Sequence, residues 1–222
     1  MRRLALAALV VLVACGSEAA PDEPASGSIF AVPASLDELD QATFFDHPWP
    51  SDLRREADGK VRFDGWPNPG QKPLIGEFLR ATKGLLDGFS PIGAAYFRFG
   101  APIDPASLPA DPPSSASPGS AVQLVDVDPT SPERGKRRMV QVHWQGDVAA
   151  EGSYWAPRTL AVMPVLGRPL RPKTRYAVVV TRALKGAGGA AVAPAPELEE
   201  ALGLRAPTER TAKVRELFAP AV

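Results

Sequence analysis

The chain of 222 residues carries 25 Lys and Arg against 25 Asp and Glu, with 25 Pro, 19 Gly, two His and one Cys. That length suits one ordinary domain with appendages, and an apolar content of 45% excludes a collagen-like or wholly disordered chain. Zero formal net charge excludes the cationic footprint of a nucleic-acid partner, and so few His and Cys leave nothing for a four-ligand zinc site.

Met1-Arg2-Arg3 followed by the apolar run from Leu4 to Val13 has the layout of a secretory signal, too short to span a bilayer. The run closes on Leu12-Val13-Ala14-Cys15, which resembles the bacterial lipobox. That resemblance implies fatty acylation of Cys15, attachment to a membrane through the lipid, and a place in the bacterial cell envelope, at the outer membrane. Residues 1–15 are therefore the expected signal peptide and lipobox. Residues 16–28 contain Gly, Ala, Pro, Ser, Glu and Asp with no aromatic side chain, and are expected to form a flexible tether.

Residues 29–90 are expected to hold an irregular extended segment and one helix, both packed on the main body. The aromatic and proline-dense stretch from Phe44 to Arg54 is the extended part, and Asp58-Gly59 is a turn. Leu74, Ile75, Phe78, Leu79, Leu85 and Leu86 share one helical face, predicting a helix over 72–86 with Pro73 in its first turn and Gly88 as a stop.

After Gly88 the apolar period changes from helical to alternating. Strands are predicted around Ala95, Phe97 and Phe99; at Val122, Leu124 and Val125 to Val127; at Val140, Val142 and Trp144; at Leu160 to Pro164; and at Tyr176 to Thr181. The last of these is apolar on both faces, as a central strand is. Residues 190–192 supply a short closing strand, and the Pro- and Ser-rich residues 109–119 a long exposed loop. Strands with no helices between them predict a mainly β protein, a β-sandwich over 91–193. Helical pattern returns over 194–222, where Val214, Leu217 and Phe218 form a stripe that wants a surface outside the sandwich, leading into a further domain.

Leu170-x-Pro172-x-Thr174-x-Tyr176 resembles the tyrosine corner of fibronectin type III and immunoglobulin-like domains, with Lys173 standing where Gly is usual. The resemblance implies an Ig-like sandwich with Tyr176 buried and its hydroxyl bonded to upstream backbone. The lipobox, the string from Phe45 to Arg55, the helix before Gly88, the string from Pro102 to Leu108 and the string from Leu170 to Gly189 together resemble the N-terminal region of bacterial virulence-factor lipases, over residues 45–193. In that family the region precedes an α/β-hydrolase domain. The likeness implies a non-catalytic module with a downstream catalytic domain as its partner.

A nucleophile elbow of the form G-x-S-x-G is missing, since Gly88-Phe89-Ser90-Pro91 sets Pro where the helix has to start. Ser90 reads as a turn residue, and neither His47 nor His143 has a Ser or Cys at motif spacing. Asp126 and Asp128 share a strand face before Pro129, but calcium needs several more oxygens, so they read as hydrated strand-end carboxylates. The run from Glu133 to Arg138 reads as a solvated hairpin tip, and Trp49, Trp66, Trp144 and Trp155 as core or sheet-edge caps rather than a carbohydrate platform. No catalytic, cofactor or metal residue is expected, and the chain is expected not to be an enzyme by itself. The function expected is an envelope lipoprotein module that positions a lipase-like or other surface domain, with a stand-alone binding or adhesion lipoprotein as the alternative.

Overall fold

A computed structural model describes residues 27–149 and 153–221. The expected signal peptide, Cys15 and the expected tether up to residue 26 lie outside the described residues.

The alternating segments build two antiparallel sheets. Strands β1 (Ser28–Ile29), β2 (Ala95–Phe99), β3 (Val122–Asp126), β4 (Arg137–Arg138), β5 (Val140–Gln145), β6 (Thr159–Pro164) and β7 (Tyr176–Val180) divide into a four-stranded sheet of order β1-β2-β6-β5 and a three-stranded sheet of order β4-β3-β7. Because side chains alternate across a strand, register decides which residues meet. Phe97 lies opposite Leu160 and Val142 opposite Val162 in one sheet, while Val122 lies opposite Val180 and Leu124 opposite Val178 in the other. These inward residues join Phe99, Ile103, Val140 and Leu184 in one apolar cluster between the sheets. Each large apolar side chain fully buried there, such as Leu124 or Leu160, contributes about 1.5–3 kcal/mol, and the half-buried Phe97, Val142, Val178 and Val180 contribute less.

The doubly covered strands are β2 and β6, with Phe99, Leu160 and Val162 in the inter-sheet core and Tyr96 and Ala161 in a second cluster on the outer face. β7, expected to be central, is an edge strand paired only with β3, and Val179 is 39% exposed. A continuous apolar run does not tell one neighbour from two. Residues 190–192 form no strand and contribute only a bridge between Ala191 and Lys185.

The outer face of the four-stranded sheet is covered by the aromatic N-terminal segment. Phe44, Phe45, Trp49 and Val61 bury themselves with Tyr96 and Ala161, and Phe63, Trp66, Phe89 and Trp155 pack around them. The Tyr96 N–H donates to the Trp49 carbonyl at 2.8 Å, tying this layer to β2. Arg54 is wholly buried in the layer, its guanidinium 4.0 Å from the Phe44 ring centre and one nitrogen donating to the Phe44 carbonyl at 2.6 Å. Burial lowers the Arg54 pKa to about 10. Cation–π attraction offsets part of that desolvation.

Helix α1 (Pro73–Thr82) is shorter than expected, because Gly84 takes a left-handed φ of 70° just past its end. It also buries no residue, and Leu74 and Phe78 are 78% and 66% exposed. The expectation that this apolar face packs on the sandwich is therefore corrected. Residues 109–119 are likewise not a plain exposed loop. Asp111 and Ser114 form a reciprocal capping box around the single-turn α2 (Pro112–Ser115), and Ser115 is fully buried against β5.

Helices α3 (Pro196–Ala201) and α4 (Glu209–Phe218) pack on each other, with Thr208 capping α4. Their apolar stripe turns inward. Val214 is 1% exposed against Val32 and Ala201, and Phe218 meets Phe30 edge to face at 6.2 Å. Only Leu217 keeps the outward placement expected of all three. Gly27 and Ser28, expected in the tether, belong to the fold: Ser28 pairs with Phe99, its N–H donates to the Ala193 carbonyl at 2.8 Å, and its hydroxyl accepts the Ala195 N–H at 3.0 Å.

Candidate functional site

The residues singled out in the sequence fall at separate places. At the corner, Tyr176 is half-buried rather than buried, and its hydroxyl accepts the Arg171 N–H at 3.3 Å. Leu170 packs on the inter-sheet core, and the Pro172 carbonyl accepts the Thr174 hydroxyl at 3.1 Å. Lys173 has a φ of 52°, a left-handed conformation at the position where Gly is usual in the resembling domains.

Ser90 lies exposed in a turn, its hydroxyl accepting the Ile92 N–H at 3.3 Å. His47 is 7% exposed, with Nδ1 donating to the Ala31 carbonyl, and burial pushes its pKa below the ordinary value. Asp126 is not hydrated as expected. It is fully buried and accepts the Asp128 N–H at 3.1 Å and the Ser131 hydroxyl at 2.6 Å, holding the turn that follows β3. Asp128 accepts from Thr130 and Arg175, and hydrogen bonds from the Thr130 side chain and backbone depress its pKa. Hydrogen bonds from Arg138 and Lys136 hold the Glu133 carboxyl at about 2, so the basic run carries its own counter-charge. Among the described residues no cluster of three or more His, Cys, Asp or Glu is placed to hold a metal.

A groove of about 490 Å³ lies on the outer face of the four-stranded sheet, where the aromatic layer stops short. Gln141 and His143 of β5 and Ala161 and Met163 of β6 form its floor, because odd positions of both strands point outward. Residues 109–112 form one wall and Trp155 the other. Ser115 seats the first wall by accepting the Val140 N–H at 2.9 Å, and that N–H points off the open edge of β5. The second wall is held by Tyr96, whose ring meets Trp155 edge to face at 4.9 Å, and whose hydroxyl shares a 2.6 Å hydrogen bond with Tyr154.

The Trp155 wall continues as a stepped run of rings. His143 lies parallel to Trp155 at 5.7 Å and 3°, Trp155 follows Tyr154 at 5.9 Å and 26°, and Tyr154 follows Trp66 at 5.8 Å and 28°. Sequence reading sorted the tryptophans as one set. The structure separates them: Trp49 is buried and Trp144 packs on the inter-sheet core, whereas Trp66 and Trp155 are half-exposed in the run. The legible signal was His143 facing outward next to Trp144 facing inward; nothing local linked His143 to Trp155.

Comparisons of the chain with protein families, with curated proteins and with solved structures returned no match. Among the described residues the chain is mainly β, with two antiparallel sheets and four α-helices, compatible with a β-sandwich.

Proposed function

We propose that the chain is the sandwich module of a lipid-anchored protein of the bacterial cell envelope, non-catalytic in itself, which positions a lipase-like or other surface domain. The observation that carries this reading is the clamp at Ser28. The residue that follows the lipobox and tether is bonded at once to β2, to Ala193 and to Ala195, so a pull from the membrane is borne by the sheet and by the base of the helical pair. An Ig-like identity for the sandwich is part of the proposal, supported by the Arg171 to Tyr176 hydrogen bond and the left-handed turn at Lys173.

Ester hydrolysis tests the non-catalytic part. Residues 16–222 are expected to turn over neither short- nor long-chain p-nitrophenyl esters, because Ser90 and His47 serve backbone turns and carbonyls rather than each other. Turnover above background that disappears in Ser90→Ala or His47→Ala overturns it.

A second reading, a stand-alone surface protein that binds a ligand, is favoured by the groove bounded by Trp155. Its volume is in the range of ligand sites, and its floor combines the apolar Ala161 and Met163 with the polar Gln141 and His143.

A further inference from the structure

We infer that the groove between Trp155 and residues 109–112 binds a neutral carbohydrate chain. The inference rests on the binding reading and names the ligand class of that site. A pyranose ring has two C–H faces of slight positive potential and a rim of hydroxyls. It is recognised by electron-rich ring faces beneath it and by planar hydrogen-bonding side chains at its edge.

Both are in place. The rings of Trp66, Tyr154, Trp155 and His143 form a stepped platform with neighbouring planes 3° to 28° apart, and Tyr154 is 40% exposed. The stacked rings are offset, so each leaves part of its face uncovered by the next. At the edge, Gln141 and His143 are exposed and supply an amide and an imidazole, each able to donate and to accept. Trp155 is wedged by Tyr96, so its ring loses little freedom when a ligand arrives.

Charge narrows the ligand class. Among the described residues no Lys or Arg lines the groove, and the one carboxylate there, Asp111, already accepts the Ser114 N–H at 2.8 Å. Phosphorylated or uronic-acid chains find no cation there, and desolvating their charge beside Asp111 is unfavourable.

The test is titration calorimetry, with tryptophan fluorescence alongside, on the full chain in a zwitterionic detergent free of sugar. Cellotetraose, maltotetraose, tetra-N-acetylchitotetraose, tetragalacturonate and a proline-rich decapeptide are the probes. At least one neutral tetrasaccharide is expected to bind with a Kd between about 1 μM and 1 mM, and to shift tryptophan emission. Preference for the N-acetyl sugar identifies a cell-wall type of glycan; preference for a glucan identifies an extracellular polysaccharide. Gln141→Ala and His143→Ala, both at exposed positions, are each expected to weaken binding about tenfold, and Leu204→Ala on the helical pair to leave it unchanged.

Trp155→Ala is expected to abolish binding, and the two exposed variants keep the test valid if that variant fails to fold. Tetragalacturonate binding more tightly than every neutral sugar, or neutral-sugar binding indifferent to both Gln141 and His143, overturns the inference. Binding of the peptide alone overturns it while leaving the binding reading in place. Silence from all five probes contradicts both.

Discussion

Ser115, with no exposed surface, accepts the backbone N–H of Val140 at 2.9 Å across 25 residues of sequence. Its own hydroxyl hydrogen is donated to the Pro112 carbonyl at 2.6 Å, so one small side chain closes α2 and fastens the groove wall to β5. Ser115→Ala leaves a buried N–H without its acceptor, which costs about 1–3 kcal/mol. Thermal unfolding is expected to show that loss, and amide exchange of Val140 to accelerate. An unchanged melting temperature contradicts the assignment.

His47 predicts the direction of a pH dependence. Burial is the main cause that lowers its folded pKa, with Arg54 adding a smaller push, against raising contributions from the Ala31 carbonyl and from Glu197 and Asp40. The unfolded chain therefore takes up a proton near pH 6.5 while the folded chain still refuses it. Stability contributed by neutral His47 is full above pH 6.5 and falls as pH drops toward the lower folded pKa. Urea midpoints measured from pH 7.5 to 5 are expected to decline, and to decline less in His47→Gln. Equal slopes in the two proteins contradict this.

Phe44 and Phe78 occupy opposite extremes. Phe44 is fully buried under Arg54 and against Trp49 and Trp66, while Phe78 on α1 is 66% exposed. Phe44→Ala is expected to cost about 3–5 kcal/mol, and Phe78→Ser to change stability by less than about 0.5 kcal/mol. Denaturant titration of the two variants checks the contrast, and a large loss from Phe78→Ser shows that α1 is packed after all.

The strands were readable in the sequence because alternation at Phe97 and Phe99, Val122 and Leu124, and Val140 and Val142 is forced by one buried face. The partners of β7 were not, since Val178 to Val180 are apolar whichever side is open. At α1 the same moment that predicts a helix also predicts a contact, and the fold supplies the helix without the contact. The Asp111 to Ser114 capping box was a local signal inside a stretch whose Pro and Ser content suggests a loop. β1 and β4 are two residues long and have no period to detect. The groove was hidden because it joins residue 111 to 143 and 155 through strand pairing, and no local pattern encodes that meeting.

Cys15 carries the central claim, that this sandwich works while tethered to a membrane. Several acyl chains on one cysteine make attachment durable, since each buried CH₂ contributes about 0.8 kcal/mol. The direct measurement is the distribution of the chain between washed membranes and the soluble fraction of producing bacterial cells, with intact mass taken on the recovered protein. Wild type is expected in the membrane fraction with the mass of an acylated chain beginning at Cys15, and Cys15→Ser in the soluble fraction. Recovery of wild type as soluble, unacylated protein contradicts the account.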